Sequence, residues 1–493
     1  MVMKSGGVQI GSVLFPERAV FIDGGWSTIR SAEVIPVSNP ATEELISEVI
    51  ETPPEYLESA FKSARRALKT WSVTPPEVRA SYLEALATVM LRSREELARL
   101  ASLEIGMPIS DARSTQVDLP IQVLKSFAEL ARSHAWEFAD QSGSTIVHEA
   151  AGVVLAITPW NFPVHQIVAK VAPALAAGCT VVLKPAELTP LNALAIASMC
   201  AEIGLPPGVL NVVTGTGLRA GRSLVALADY DVVSFTGSLA VGRQIGAAAG
   251  GAIVRMTLEL GGKSPALVLA DADLESAVRT TVKNCFVNAG QKCNAPTRLL
   301  VPEGSLCDAV NIAKVVADKY VLGDPLLEST TMGPLVSANQ RRKVNEYIAN
   351  ATSSGADVAR RSADIPSGRG YFVNPAIVSK VDRDAPIVRE EVFGPVLVVQ
   401  GYRSEEDALE MANDSEYGLS AEVWSGDQEK ARAVAKHICA GQVRINGART
   451  QMPPVSPFGG YKRSGIGREL GPSGLDEFIE VKAILGARAG WPK

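Results

Sequence analysis

Residues 152–157 read Gly-Val-Val-Leu-Ala-Ile, residues 180–183 Thr-Val-Val-Leu, residues 209–213 Val-Leu-Asn-Val-Val and residues 232–235 Val-Val-Ser-Phe. Each run is apolar on both faces and too short for a helix, so each predicts a buried strand. Between them lie helical stretches at 164–176, 191–203 and 220–227. Buried strands alternating with helices predict a parallel, doubly wound α/β sheet. The alternation resumes after Pro265, with strands at 266–269 and 299–301 and helices at 274–287 and 306–319. A second α/β domain therefore starts near residue 262. Upstream, residues 55–72 and 77–105 have helical periodicity, with Leu83, Leu86, Ala87 and Met90 on one face. Two packed α/β domains predict a site between them.

The chain has 493 residues, enough to bury a large core without disulfide or metal staples. Its net charge of -5 argues against a nucleic-acid partner, which calls for a surplus of cations. No apolar run reaches the ~18 residues of a membrane span; the longest candidate, Val171 to Leu183, is bounded by Lys170 and Lys184. The N-terminus lacks the apolar core of a signal peptide. The expectation is a cytoplasmic protein with reduced thiols. The six cysteines form no Cys-x-x-Cys pair and the four histidines are scattered, so no metal site is expected.

Two glycine turns could receive a phosphate. Gly215-Thr216-Gly217-Leu218-Arg219-Ala220 fits the dinucleotide fingerprint between a strand and a helix, with Asp231 near the expected acidic position. A plain strand-to-helix turn has the same spelling. Phe235-Thr236-Gly237-Ser238 also ends a strand and opens a helix, so Ser238 is either a phosphate contact or an ordinary N-cap.

Cysteine is by default a buried small hydrophobe. Cys179 begins a strand, Cys200 and Cys285 lie within helices, and Cys439 closes one. Only Cys293 sits in a polar, glycine-led loop, Asn288-Ala289-Gly290-Gln291-Lys292-Cys293-Asn294, where a thiolate could attack. Glu259, between Leu258 and Leu260 and before two glycines, is either a paired structural acid or a base with a raised pKa. Lys292 could depress the thiol's pKa, but neighbours in a loop often diverge, and it reads as a solvated lysine.

Seven segments converge on one family. Pro159-Trp160-Asn161-Phe162-Pro163, Lys184-Pro185-Ala186-Glu187, Phe235-Thr236-Gly237-Ser238 and Leu258-Glu259-Leu260-Gly261-Gly262-Lys263 are four of them. Gly290-Gln291-Lys292-Cys293, Glu390-Glu391-Val392-Phe393-Gly394-Pro395 and Pro457-Phe458-Gly459-Gly460-Tyr461-Lys462 complete the set. In this order they resemble the NAD(P)-dependent aldehyde dehydrogenase superfamily. Phe21-Ile22-Asp23-Gly24 and Asn39-Pro40-Ala41-Thr42 extend the resemblance over essentially the whole chain.

The resemblance implies two Rossmann-like domains and a small β oligomerisation hairpin. They would be an NAD-binding domain at 1–128 and 150–261, a catalytic domain at 262–474, and an oligomerisation segment at 129–149 and 475–493 of a homodimer or homotetramer. It implies that Cys293 attacks the aldehyde to give a thiohemiacetal, because an alkoxide carbon releases hydride where a carbonyl carbon does not. Asn161 and the Cys293 amide would hold the oxyanion, and Glu259 would activate water against the resulting thioester. Lys184 and Glu187 would hold the adenine ribose, Ser238 and Gly237 the pyrophosphate, and Glu391 the nicotinamide ribose, with Trp160 and Phe393 nearby. The Gly215 turn would not be the cradle. Glu187 would disfavour the extra phosphate of NADP, with Lys184 leaving some use of it. Phe162, Gln166, Ala169 and Asn446 would line the substrate side. With His165, Gln166 and Ala169 at the tunnel positions and no arginine among them, a neutral aldehyde is expected. The alternatives are release of the thioester to coenzyme A, which the Glu259-type base argues against, and a non-catalytic protein on the same fold.

Overall fold

The computed structural model describes residues 2–4, 7–10, 13–30, 32–360, 368–448 and 454–485. The central strand of the first large sheet is Val153–Ile157. Thr180–Lys184 lies parallel on one side and Val232–Thr236 parallel on the other. Leu210–Val212 and Arg255–Glu259 continue the parallel order outward. The chain thus runs from the centre to one flank and returns to build the other. That reversal opens a crevice beyond the carboxyl ends of Val153–Ile157 and Val232–Thr236, where α/β sheets bind ligands. The edges are antiparallel: Ala19–Ile22 and Gly25–Thr28 on one side, Gly465–Ile466 on the other. This last strand is a difference from the expected division, since it comes from the 262–474 segment yet completes the first sheet.

The second sheet runs Asp357–Arg360, Ala376–Ser379, Val396–Tyr402, Arg298–Pro302, Pro265–Val268, Ser420–Trp424, Gln442–Ile445. Only the Asp357–Arg360 edge is antiparallel. Its core, which includes Phe286, Leu299 and Val398, is separate from the cores around the first sheet. The loops holding Cys293 and Glu391 precede Arg298–Pro302 and Val396–Tyr402. The second sheet therefore meets the crevice with its amino ends, while the first meets it with its carboxyl ends.

The 77–105 periodicity resolves into two helices, Pro76–Arg92 and Arg94–Ile105, broken at Ser93 where the backbone leaves the helical region. After these helices the chain forms a wide turn, Arg113–Asp118, of π type. Such turns insert a residue into the helical ladder and re-aim side chains. A small sheet joins Glu137–Ala139, Thr145–Ala150 and the late strand Ile479–Ile484. The expected hairpin start at 129 is too early, because helix Leu119–Ser133 continues through it. Residues 486–493 of the expected segment lie outside the described residues.

Candidate active site

One cavity of about 370 Å³ opens between the sheets. Trp160, Asn161, Phe162 and Gln166 line it from the first sheet's crevice, with Gly237 and Ser238 beside them. Cys293, Glu391 and Phe393 line it from the second. The structure brings these nine predicted residues together.

The Cys293 loop is shaped by backbone in the left-handed region. Asn288, Ala289 and Gly290 have φ of 52°, 53° and 75°. Side chains rarely adopt this region, at a cost of ~1–2 kcal/mol each. At Gly290 a Cβ would stand 2.1 Å from the Gly394 carbonyl oxygen, so only glycine lets the two loops touch. The loop is then stitched together: the Asn288 amide donates to the Asn161 carbonyl at 3.0 Å, and the Gln291 amide donates to the Asn288 carbonyl at 3.0 Å. Val336 N–H donates to the Gln291 side-chain oxygen at 2.9 Å.

Asn161 is 6% exposed and its Nδ2 donates to the Gln291 carbonyl at 3.0 Å. A primary amide has a second N–H, and this side chain lies on the cavity wall beside the thiol. The Cys293 thiol is half-buried, and burial pushes its pKa up to about 12, with Glu391 and Glu259 adding to the rise and Lys292 opposing it. The resting group is therefore a thiol that needs a base.

Glu259 ends the strand Arg255–Glu259, level with Thr236 on its neighbour. It is 1% exposed, and neither carboxylate oxygen has a hydrogen-bond partner among the described residues. Burial, then the Glu469 charge, raises its pKa well above 4.5. The paired-acid reading fails here, because the partner is missing. Space for the carboxylate depends on Gly459 (φ 151°), where a Cβ would meet Glu259 Oε1 at 2.7 Å. Beside it Lys170 donates to Thr236 Oγ1 at 2.7 Å and pairs with Glu469, both buried.

Trp160 and Phe393 meet edge to face, centroids 5.3 Å apart. Gln340 Nε2 donates to the Phe393 carbonyl at 2.8 Å, holding that residue at φ 56°. Glu391 accepts the Gly262 N–H at 3.1 Å; burial raises its pKa to about 7. At Ser238 the hydroxyl accepts the Val241 amide, as an N-cap does, at the start of helix Leu239–Gly251. The helix end still presents other first-turn amides, which suit a phosphate. Lys184, which ends the strand Thr180–Lys184, and Glu187 just past it lie outside the cavity, with Nζ 3.9 Å from the carboxylate. Lys184 is buried and donates to Pro185 O at 2.8 Å. Its pKa is lowered, first by that burial. Amides at one end and a lysine–glutamate pair along the same sheet edge fit a dinucleotide.

The Gly215 turn holds no room for one. The Glu51 carboxylate already accepts Thr216 N at 3.0 Å and Ala220 N at 2.8 Å. Asp231 is likewise engaged, accepting Val153 N at 2.7 Å and pairing with Arg65. Two substrate-side residues do not reach the cavity. Ala169 is buried among core side chains of helix Pro163–Ala177, and Asn446 spends its amide on Ser425, accepting N–H at 2.9 Å and donating to O at 2.8 Å. Cys179, Cys200 and Cys285 are buried, whereas Cys307 and Cys439 are exposed. Asp111, Leu119 and Gln340 line the cavity from helical segments that carry no motif spelling. Lys170 has no motif either; its one signal in sequence is a lysine inside an otherwise apolar helix.

A sequence profile described as the aldehyde dehydrogenase family matches residues 26–484. The chain belongs to the aldehyde dehydrogenase family. It is an oxidoreductase that converts an aldehyde to the acid through a cysteine, with NAD as cofactor. Among curated aldehyde dehydrogenases, 3-succinoylsemialdehyde-pyridine dehydrogenase from a Pseudomonas species is 42% identical, over 95% of this chain and 98% of its own. Aminoaldehyde dehydrogenase 2, peroxisomal, from Malus domestica is 40% identical over 96% of each. A cysteine-to-alanine aldehyde dehydrogenase C from Pseudomonas syringae, solved with NAD+ and octanal, superposes with a TM-score of 0.93 at 42% identity, covering 96% of this chain and 98% of that one. Betaine aldehyde dehydrogenase from Staphylococcus aureus, with NAD+, gives 0.92 at 36% identity, covering 95% of each. No helix among the described residues is long and apolar enough to cross a membrane.

Proposed function

We propose that Cys293 is the nucleophile, Asn161 the oxyanion donor and Glu259 the base of this aldehyde dehydrogenase, acting on an uncharged aldehyde. The observation that carries the assignment is the shared cavity wall: the Cys293 thiol and the Asn161 amide face one space, with an unpaired Glu259 carboxylate close enough for its charge to act on the thiol.

The aldehyde enters between Phe162 and the Cys293 loop, the thiol releases its proton to solvent, directly or through Glu259, and Cys293 Sγ adds to the carbonyl carbon. The oxygen becomes an alkoxide, and the free Asn161 N–H together with the Cys293 backbone N–H lowers its energy. Bound NAD supplies the hydride acceptor. On the protein side the product is a Cys293 thioester, and Glu259 takes a proton from water as the water attacks it. A carboxylate in a dry site is a stronger base than one in water, so the raised pKa serves that step. For the cofactor, Ser238 and Gly237 hold the pyrophosphate, Lys184 and Glu187 the adenine ribose, and Glu391 the other ribose, with Trp160 and Phe393 at the nicotinamide.

The same reading assigns the NAD-binding unit to 1–133 and 150–261, joined by the Gly465–Ile466 strand, the catalytic unit to the rest of 262–474, and assembly to the small sheet. Exposed Phe138, Val481, Ile484 and Leu485 on and beside that sheet support a homodimer or homotetramer. A cytoplasmic location belongs to this reading, supported by cysteines that stay unpaired. Mixing enzyme, NAD and a simple aldehyde, with and without coenzyme A, tests it. NADH formation independent of coenzyme A is expected; formation only with coenzyme A assigns the acyl-transfer alternative.

A further inference from the structure

The cavity wall carries charges of both signs. Asp111, from the short helix Ile109–Ala112, and Lys292, next to the thiol, line the same space as Cys293. Behind Lys292 lies a second pair. Arg444 stands 3.7 Å from Glu422, and its Nη1 and Nη2 atoms are buried without hydrogen bonds among the described residues. Glu422 also accepts the Asn284 amide at 2.8 Å. The four groups act on one another through Lys292, which feels Arg444, Glu422 and Asp111. On the cavity wall itself Asp111 and Glu391 are matched by Lys292 and Lys343, so the lining charges cancel.

We infer that Asp111 and Lys292 are specificity-determining residues: together they keep the tail end of the aldehyde site electrically balanced, so that it selects polar but uncharged tails. The inference rests on the cavity being the aldehyde's site. Each charge alone would choose a tail of opposite sign. A cationic tail drawn by Asp111 meets Lys292, with Arg444 behind it. An anionic tail drawn by Lys292 meets Asp111. An uncharged tail bearing an acceptor oxygen or nitrogen meets no such conflict and takes a hydrogen bond from the Lys292 ammonium. The Gln166 side-chain oxygen, buried and without a partner among the described residues, offers the wall an acceptor for a tail hydroxyl or amide N–H. Burial weakens both charged forms, raising Asp111 and lowering Lys292 to about 8, while each offsets the other's shift. That is the behaviour of a pair whose members depend on one another.

The balance makes opposite predictions for its two halves. Asp111→Asn leaves an excess positive charge, and Lys292→Gln an excess negative one. At an effective dielectric of ~20, an unbalanced charge several ångströms from a charged tail is worth about tenfold or more. The experiment measures kcat/KM for 4-hydroxybutanal, succinic semialdehyde and 3-aminopropanal in the wild type and both variants. The wild type should prefer 4-hydroxybutanal to either charged aldehyde. The succinic semialdehyde to 3-aminopropanal ratio should rise about tenfold in Asp111→Asn and fall about tenfold in Lys292→Gln. The ratio within one enzyme is immune to a general loss of rate. Should a variant lose turnover, protection of Cys293 from alkylation by butyrate against butylammonium reads the same preference. Ratios that stay put, or move in the same direction in both variants, overturn the inference while NADH formation persists. Failure of every aldehyde in the wild type would overturn the aldehyde reading instead.

Discussion

The Asn161 side-chain nitrogen is 3.0 Å from the Gln291 carbonyl oxygen, which ties the first sheet's crevice loop to the nucleophile's loop. This bond fixes the plane of the amide, so its remaining N–H has one direction in which to point. Asn161→Ala should therefore lower kcat by ~10²–10³-fold, the usual effect of deleting one oxyanion donor. NAD affinity, read by fluorescence titration, should hold. A parallel loss of NAD binding would mean that the amide serves the loop rather than the oxyanion.

Cys293→Ala should abolish aldehyde oxidation and leave NAD binding intact, because the thiol lies on the cavity wall and holds none of the loop's hydrogen bonds named above. Steady-state NADH formation and a binding titration on the same sample check this. Residual turnover near the wild-type rate would remove Cys293 from the mechanism.

The cofactor preference follows from the Lys184–Glu187 pair. Glu187 is 38% exposed at its side chain and free to accept ribose hydroxyls, and a 2′-phosphate would bring like charge against it. The kcat/KM ratio should favour NAD. Glu187→Gln should narrow the ratio by raising NADP use; an unchanged ratio means that Glu187 points away from the ribose.

Much of this was legible in sequence, for a physical reason. Strands such as 153–157 and 180–184 are buried on both faces, so their composition alone marks them. The motif residues sit at strand ends and in glycine turns, where backbone demands restrict spelling. The helical wall was not legible, because Asp111 on a four-residue helix beside a π turn looks like any surface acid. The Gly215 turn misled for the opposite reason. Its Thr216 and Ala220 N–H groups do converge on one anion, but that anion is Glu51, 165 positions from Thr216, and no local pattern announces that. Asn446 likewise matched a family position while its amide is held by Ser425.

The Lys170–Glu469 pair predicts a stability effect. Both side chains are buried, with 0% and 5% exposure. Removing one leaves a charge in a dry site, which typically costs ~3–5 kcal/mol. Lys170→Met should lower stability by about that amount in urea titration. The double variant Lys170→Met, Glu469→Leu should recover much of it. Equal losses in the single and double variants would show that the pair does not act as a unit.

The sharpest test separates two halves of the reaction through Glu259. Its carboxylate is buried, unpaired and raised well above 4.5, so rate should fall as pH drops through that raised value, where the base takes its proton. The same shift has a sign for stability. A carboxyl whose folded pKa is raised contributes stability that is fully present below its unfolded value of 4.5 and is lost as pH rises from there through the folded pKa, above which the ionised form is held in a dry site. Glu259→Gln removes that cost, so at pH 8 the variant should be at least as stable as the wild type. A poor fold cannot then explain its defects. Glutamine keeps the shape and cannot take a proton. If the thiol ionises without Glu259, the variant should give a burst of NADH close to one per active site and then slow by ~10²–10⁴-fold. The stalled acyl group should add mass to the Cys293 peptide. An undiminished steady rate would place the water step elsewhere. Loss of the burst would assign Glu259 to deprotonating Cys293 as well, a role consistent with a thiol pushed up to about 12. In that case raising the pH toward that value should restore the burst but not the steady rate.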